Sequence, residues 1–209
     1  SVPLFAEDSA KSFEAFFSGR VFVVGDSTAS AYEPRRYPRM GWAQVLDAYY
    51  DQRVSIYDLA KSGRSTKSYI AEGFFDGMAA HLGKGDLLLI QFGHNDSKVS
   101  APERYAPSDG LYRDLLKRYI ATAKEKGAKP ILLTSVVRRV WKDGVFTPTL
   151  TEYVDAMKAV AGETETPLID MNALTRALVE QHGEEGSKEL YLHLDAGTAP
   201  LSQTGPVKD

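Results

Sequence analysis

Short apolar runs alternate along the chain with stretches in which apolar residues recur at the spacing of a helix. An unbroken apolar run predicts a strand whose two faces are both buried, as in a parallel sheet. A run of this kind occupies residues 21–24, and we also predict strands over residues 54–59, 87–92, 131–137 and 167–171. The helical spacing predicts helices over residues 42–49, 69–82, 111–126, 150–160 and 172–183.

The residues between these elements indicate where the elements end. Gly127 predicts a glycine cap at the end of one helix, and Asn172 predicts an amino-terminal cap for the last. The polar, proline-containing segment 93–110 predicts a long loop. Strands that alternate with helices indicate an α/β fold. We expect a flavodoxin-like three-layer α/β/α sandwich around a central parallel sheet of about five strands.

The composition is that of a globular protein, with 43% hydrophobic and 25% charged residues among 209. A prior of roughly 150 residues per domain makes residues 1–209 a single domain. The absence of cysteine excludes disulfides and thiolate metal sites. No apolar run approaches the roughly 18 residues of a membrane helix, and the first residues show no signal-peptide pattern. The formal net charge of −3 argues against a nucleic-acid binder.

Reactive or donor groups follow three of the predicted strands. The first strand leads into Gly-Asp-Ser with Ser27, the second into a loop with Gly63, and the third into a loop with Asn95. The carboxyl ends of parallel strands meet at one edge of a sheet, where ligands bind in such folds. A serine hydroxyl, two backbone N–H groups and an amide side chain at one edge could supply a nucleophile with an oxyanion hole.

Each of these loops alone also has an ordinary structural explanation. Asp26 can cap a helix, Asp96 can do the same, and Gly63 can be a turn glycine. Asn95 can bond its own backbone. Their joint occurrence at successive strand ends is more specific. The Gly-x-Ser-x-Gly pattern of the common serine-hydrolase fold is absent. No Gly-x-Gly-x-x-G or Walker pattern follows the first strand, which argues against a nucleotide or phosphate binder.

The three loops together resemble the SGNH, or GDSL-type, hydrolases, which carry a Ser in Gly-Asp-Ser, a Gly, and an Asn in Gly-x-Asn-Asp. Ser27, Gly63 and Asn95 match these positions. The strings Val-Val-Gly-Asp-Ser-Thr-Ala, Ala-Lys-Ser-Gly-Arg-Ser-Thr and Ile-Gln-Phe-Gly-His-Asn-Asp look like the rhamnogalacturonan acetylesterase branch. The resemblance implies the SGNH fold and a secreted or periplasmic serine esterase, a monomer, that removes acetyl groups from pectin without a cofactor or metal.

The fourth block of that family is Asp-x-x-His near the carboxyl terminus. Asp209 stands at the position of its aspartate, so we expect the catalytic histidine and a closing helix to lie past the last residue. His193 and His94 are the internal alternatives as base. We expect His94 to line the pocket and His193 to be structural.

The charge distribution suggests an anionic substrate. Loops 28–41, 60–68 and 138–148 carry a net positive charge, although the whole chain is acidic. These loops hold Arg64 and Trp141, which with His94 are the candidate substrate-binding residues because cations suit uronates and aromatic faces suit sugar rings. The alternative, that these are merely solvated surface loops, stays open.

Other functions also remain open at this point. Within the same class, the chain could be an acetylxylan esterase or a general short-chain esterase. In a different class, it could be a non-catalytic carbohydrate-binding relative, since the catalytic histidine is not found at its position. Neither alternative involves a nucleic acid or a membrane.

Overall fold

The computed structural model describes residues 19–50 and 53–193. Its centre is a parallel sheet of five strands, which are β1 (Arg20–Gly25), β2 (Ser55–Asp58), β3 (Leu87–Gln91), β4 (Lys129–Leu133) and β7 (Leu168–Ile169). Their order across the sheet is β2-β1-β3-β4-β7. This arrangement confirms the predicted α/β fold with a flavodoxin-like strand order.

Helices cover both faces of this sheet. One face carries α1 (Thr66–Ala71), α2 (Phe74–His81), α3 (Leu111–Glu125) and α4 (Thr151–Glu163). The other face carries α5 (Met171–Gly186) and a 3₁₀ helix, Trp42–Tyr49. Shorter 3₁₀ turns lie at Pro34–Arg36 and Glu189–Tyr191. No helix within residues 19–50 and 53–193 is long and apolar enough to cross a membrane.

Successive residues of the central strands enter opposite layers of the core. Phe22 and Val24 of β1 pack in the layer below α1–α4, whereas Val21 and Val23 pack against Trp42 and its neighbours on the other face. All four side chains are at most 2% exposed. A strand buried on both faces has no polar side to display, which is why these segments appear as unbroken apolar runs.

Two predicted helices differ from expectation. The helix predicted over residues 69–82 is two helices, α1 and α2, because Gly73 adopts a φ of 82° between them. A left-handed residue ends one helix and redirects the chain into the next. The segment Trp42–Tyr49 is helical, as its spacing predicts, but it is a 3₁₀ helix.

Other boundaries also shift. Gly127 caps α3 as predicted. Its N–H donates to the Lys124 carbonyl, and the N–H of Ala128 donates to the Ala123 carbonyl. The cap of α5 is Asp170 instead of Asn172, because the Asp170 carboxylate accepts a bond from the backbone of Ala173. The fourth strand ends at Leu133, four residues early. A hairpin of β5 (Trp141–Lys142) and β6 (Val145–Phe146) occupies a segment taken for loop.

The strand order sets the place of the site. β1 lies between β2 and β3, so the chain passes from β1 to β2 on one side and then crosses back past β1 to β3 on the other side. In doubly wound sheets the crevice at such a switch point, beyond the carboxyl ends of the strands, is where ligands bind. The loops that begin at Asp26 and at Phe92 therefore flank this crevice.

Candidate active site

A cavity of about 530 Å³ opens at the carboxyl edge of the sheet. The loop after β1 lines it with Ser27 and Thr28, and the loop after β3 lines it with His94 and Asn95. The segment after β4 adds a third wall that includes Arg138. Because the carboxyl ends of the parallel strands lie at one edge of the sheet, the serine of Gly-Asp-Ser and the asparagine of Gly-x-Asn-Asp line the same cavity, although 68 positions separate them along the chain.

The nucleophile candidate, Ser27, lies in a tight turn held by its neighbours. One Asp26 carboxylate oxygen, Oδ1, accepts bonds from both the backbone N and the Oγ1 of Thr28, each at 2.9 Å. The Ser27 carbonyl accepts a bond of 2.8 Å from the Tyr32 hydroxyl. Asp26 therefore stabilises an Asx turn. The sequence had suggested that Asp26 caps a helix, which the structure does not show. The turn leaves Ser27 half-buried at the cavity wall.

Glycine is required immediately before this turn and again before Asn95. A Cβ on Gly25 would lie 2.7 Å from the carbonyl oxygen of Gln91 on β3. A Cβ on Gly93 would lie 2.3 Å from the Ser135 hydroxyl, and the φ of Gly93 is 143°. Close approach of the neighbouring chains thus explains both glycines of the motif.

Asn95 joins the loop after β3 to the loop after β2. Its side chain is buried, and Nδ2 donates a bond of 3.0 Å to the carbonyl of Arg64. Gly63, the preceding residue, has a φ of 82° that favours glycine. Because an amide nitrogen carries two hydrogens, the bond to Arg64 leaves a second donor for a ligand. Gly63 is not among the residues that line the cavity, but it adjoins the carbonyl that fixes Asn95.

Asp96 makes a second connection between these two loops. Its buried Oδ1 accepts a bond of 2.9 Å from the backbone of Thr66, the first residue of α1, and another from the Thr66 hydroxyl. Burial is the main cause that raises the pKa of Asp96 to about 7, and the bonds from Thr66 oppose the shift. Asp96 thus binds the start of a helix, in agreement with the structural explanation offered for it.

His94 forms part of the cavity wall. Burial lowers the pKa of its imidazole, Arg138 lowers it further, and the carboxylate of Asp26 opposes the shift. The ring is therefore neutral near pH 7. Arg138 also donates to the His94 carbonyl at 2.9 Å and to the Ser97 hydroxyl at 3.0 Å. The structure places His94 at the cavity, as the sequence predicted.

Two of the other candidates point elsewhere. The Arg64 guanidinium pairs with Glu72 at 2.6 Å, and neither residue lines the cavity. Trp141 packs edge-on against Phe146, with 5.7 Å between ring centroids, in a small apolar cluster beneath the hairpin. The structure thus does not bring Arg64 or Trp141 to Ser27. Asp209 lies outside the described residues.

Several cavity residues were not among the candidates. Arg39 and Lys98 line the cavity with Arg138, and no carboxylate is among the described residues that line it. The positive charge of loops 28–41 and 138–148 was the sequence signal for two of these cations. Tyr191 and Leu192 close one side from the far end of the chain, and no local motif indicated them. Within residues 19–50 and 53–193, no three His, Asp or Glu side chains form a metal site.

Comparison with known proteins identifies relatives over most of the chain. Residues 23–197 match the model of the GDSL-like Lipase/Acylhydrolase family. The chain is 41% identical over 182 residues to rhamnogalacturonan acetylesterase RhgT of Bacillus subtilis, spanning 87% of this chain and 77% of RhgT. It is 35% identical over 168 residues to Probable rhamnogalacturonan acetylesterase YesY of Bacillus subtilis, spanning 80% of this chain and 77% of YesY. These matches confirm the resemblance that the motifs indicated.

A solved structure supports the same fold. The crystal structure of YxiM from Bacillus subtilis superposes with a TM-score of 0.74 at 27% identity. The alignment covers 83% of this chain and 49% of YxiM, so the chain spans about half of that protein.

Proposed function

The chain belongs to the GDSL-like lipase/acylhydrolase family, and we therefore propose that it is a serine esterase that removes acetyl groups from rhamnogalacturonan, the acidic polysaccharide of pectin. The observation that carries the proposal is the placement of Ser27 and Asn95 in one cavity lined by three cations. The identity of 41% with RhgT, over 77% of that enzyme, supports the choice of substrate.

Ser27 acts as the nucleophile. Its Oγ forms a bond to the acetyl carbonyl carbon while a histidine takes the hydroxyl proton. The tetrahedral intermediate then collapses, and the sugar oxygen leaves with that proton to form a free hydroxyl. Water attacks the acetyl-serine by the same route, releases acetate and restores Ser27. The turn fixed by Asp26 holds the Ser27 backbone in place throughout.

The oxyanion is stabilised by donors from three loops. We assign the Asn95 amide, the N–H of Ser27 and the N–H of Gly63 to this role. The bond from Asn95 to Arg64 holds one donor in place, and Asp96 holds the helix that follows Gly63. Donors that are already oriented do not have to reorganise when charge develops on the carbonyl oxygen.

We assign the general base to the histidine of the family's Asp-x-x-His block. Asp209 would orient its imidazole and stabilise the charged form. His94 is neutral near pH 7 and lines the cavity, so we assign it to contact with the substrate. No step of this mechanism needs a metal or an organic cofactor.

The charge of the cavity supports an anionic substrate. Arg39, Lys98 and Arg138 are its charged residues within the part of the chain that the structure describes. A site of one sign attracts ligands of the other and raises their association rate. We further propose that residues 1–209 form one domain and that the protein is a monomer. A secreted or periplasmic location is proposed because the substrate is a polymer of the plant cell wall.

The direct experiment compares acetate release from acetylated rhamnogalacturonan and from acetylated xylan by the full-length protein. We expect a kcat/KM at least about tenfold higher on rhamnogalacturonan, because xylan lacks the regular carboxylates that the cations attract. Ser27→Ala provides the blank for both substrates. Equal rates would favour an acetylxylan or general short-chain esterase, and no release from either substrate would favour a non-catalytic binding protein.

A further inference from the structure

A second cavity lies beside the first, at the carboxyl ends of β1 and β2. It measures about 260 Å³, and we call it the Lys61 cavity. The loop after β1 and the loop after β2 line it, and its residues include Ser30, Tyr32, Glu33, Arg35, Arg36 and Lys61. None of these residues lines the catalytic cavity.

The Lys61 cavity has an excess of positive charge. Arg35, Arg36 and Lys61 are exposed cations, and Glu33, the carboxylate in its lining, forms an ion pair with Arg35. The nearby Asp58 accepts a bond from the backbone of Ala60, and burial raises the pKa of its carboxyl. Lys61 lies near the Asp58 carboxyl and 5.5 Å from the centre of the Phe74 ring, and its side chain remains exposed. Arg36 and the exposed ammonium of Lys61 can therefore meet a negative group from outside.

The Lys61 cavity also contains a buried hydroxyl. Ser30 is 2% exposed, and within residues 19–50 and 53–193 its Oγ has no hydrogen-bond partner. A buried polar atom without a partner carries a desolvation cost that a ligand can relieve. The ring of Tyr32, half-buried in the wall, gives the cavity an aromatic side.

Tyr32 lines the Lys61 cavity and also contacts two residues of the catalytic cavity. Its hydroxyl donates to the carbonyl of Ser27 at 2.8 Å. Its ring lies under the guanidinium of Arg39, 4.8 Å from the ring centroid, and Arg39 lines the catalytic cavity. Tyr32 and Arg39 therefore connect the two cavities, and an extended ligand at Ser27 would cross these two residues to reach the Lys61 cavity.

We propose that the Lys61 cavity is a second subsite, which binds the carboxylate of a uronate in the same polysaccharide chain whose acetyl group is cleaved at Ser27. This inference rests on the proposed function and extends it from a cavity for one acetylated sugar to a surface for several sugars. The cations bind the carboxylate, Ser30 meets a sugar hydroxyl, and Tyr32 contacts the ring.

The test separates long acidic substrates from small esters. In Arg36→Ala and Lys61→Ala we expect KM for an acetylated rhamnogalacturonan oligosaccharide to rise about 3- to 5-fold each, since exposed charge pairs contribute modestly. We expect kcat to stay the same, and hydrolysis of p-nitrophenyl acetate, which is too small to reach this cavity, to be unchanged. Ser30→Ala should raise the same KM by a smaller factor, because it removes an oxygen to which no other described residue bonds.

Lys126→Ala is the matched control. Lys126 is an exposed lysine at the end of α3, just before β4 begins, and it lies at the opposite edge of the sheet. It changes the net charge as Lys61→Ala does. An equal rise of KM in both variants would mean long-range attraction only, and would overturn the second subsite. So would a loss of p-nitrophenyl acetate hydrolysis in Lys61→Ala.

A binding measurement distinguishes failure of the subsite from failure of the proposed function. The Kd of a deacetylated acidic rhamnogalacturonan oligosaccharide is measured on Ser27→Ala, alone and combined with Lys61→Ala. A Kd that is 3- to 5-fold higher in the double variant supports the subsite even where no acetate is released. The factor follows from the modest energy of exposed charge pairs. An unchanged Kd overturns the subsite and leaves the esterase proposal standing.

Discussion

The two cavities at the carboxyl edge of the sheet are built in different ways. In the catalytic cavity, Asn95 is 3% exposed and its amide is bonded to a carbonyl of the next loop. In the Lys61 cavity, the 3₁₀ turn Pro34–Arg36 has no buried residue. Catalysis requires donors that are fixed before charge develops, whereas a polymer can be bound by charged side chains on the surface.

Substitutions in the catalytic cavity should have larger effects than substitutions in the Lys61 cavity. In the catalytic cavity, hydrogen bonds join the loops after β2 and β3. Asn95 donates one of these bonds and Asp96 accepts another, so a single substitution there should strongly affect the rate or the stability. The charges of the Lys61 cavity act in solvent, so a single change there affects affinity by a small factor.

Asn95→Ala should lower kcat by about 10²–10³, the usual cost of removing one oxyanion donor. The kcat for p-nitrophenyl acetate measures this, because a small ester does not depend on the Lys61 cavity. Asn172→Ala is the matched control, since Asn172 also donates to a backbone carbonyl, that of Ser135, but outside the cavity. Equal losses in the two variants would assign the effect of Asn95 to structure alone.

Asp96 should make stability depend on pH. Its pKa is raised to about 7 in the folded state, so between pH 4 and 7 the folded protein holds a proton that the unfolded chain releases. The free energy of unfolding should therefore fall as the pH rises through this range, by up to about 4 kcal/mol for this group.

Denaturant unfolding between pH 4 and 8 measures that slope. In Asp96→Asn the contribution of this group should disappear, because the amide cannot titrate while its oxygen still accepts the bonds from Thr66. Asp114→Asn, at an exposed position on α3, is the control. A slope that persists in Asp96→Asn would contradict the assignment.

Trp141→Ala should act on stability and spare substrate affinity. Trp141 packs against Phe146 in the cluster with Val137, and it is half-buried, so its truncation should cost about 2 kcal/mol. KM for the acidic oligosaccharide should change less than twofold, by the same geometry. A large rise in KM without loss of stability would restore Trp141 to the sugar-binding role that its sequence neighbours suggested.

Salt should have the smallest effect. Raising the ionic strength screens Arg39, Lys98 and Arg138, so KM for acetylated rhamnogalacturonan should rise about threefold between 0.05 and 0.5 M salt. KM for neutral acetylated xylan provides the control and should stay constant. An equal rise of KM for both substrates would mean that charge does not determine the preference for rhamnogalacturonan.

The sequence predicted β1 and β3 well because both faces of these central strands are buried, which leaves a clear apolar run. It also predicted that Ser27 and Asn95 would meet, since strand direction alone decides this. It missed the hairpin β5–β6, although Asp143-Gly144 is a typical two-residue turn and both residues have positive φ. The break at Gly73 was missed because the sequence shows a glycine there but does not show its φ of 82°.

Side-chain direction is what the sequence could not provide. Arg64 follows Gly63 in a basic loop, yet its guanidinium bonds the carboxylate of Glu72, the residue just after α1, instead of facing the cavity. Trp141 lies among charged residues, yet the hairpin folds its ring onto Phe146. Tyr191 and Leu192 reach the cavity from about 50 residues beyond the neighbouring wall, and long-range contacts of that kind leave no local pattern.

The role of Ser27 as nucleophile is tested by an intact-mass measurement of the full-length protein after reaction with a serine-directed phosphonate, followed by mapping of the labelled peptide. A triad-activated serine in the cavity predicts one adduct, located on Ser27 and absent from Ser27→Ala. An adduct on another serine, or no adduct in a protein that releases acetate from rhamnogalacturonan, would contradict the assignment of Ser27 as the nucleophile.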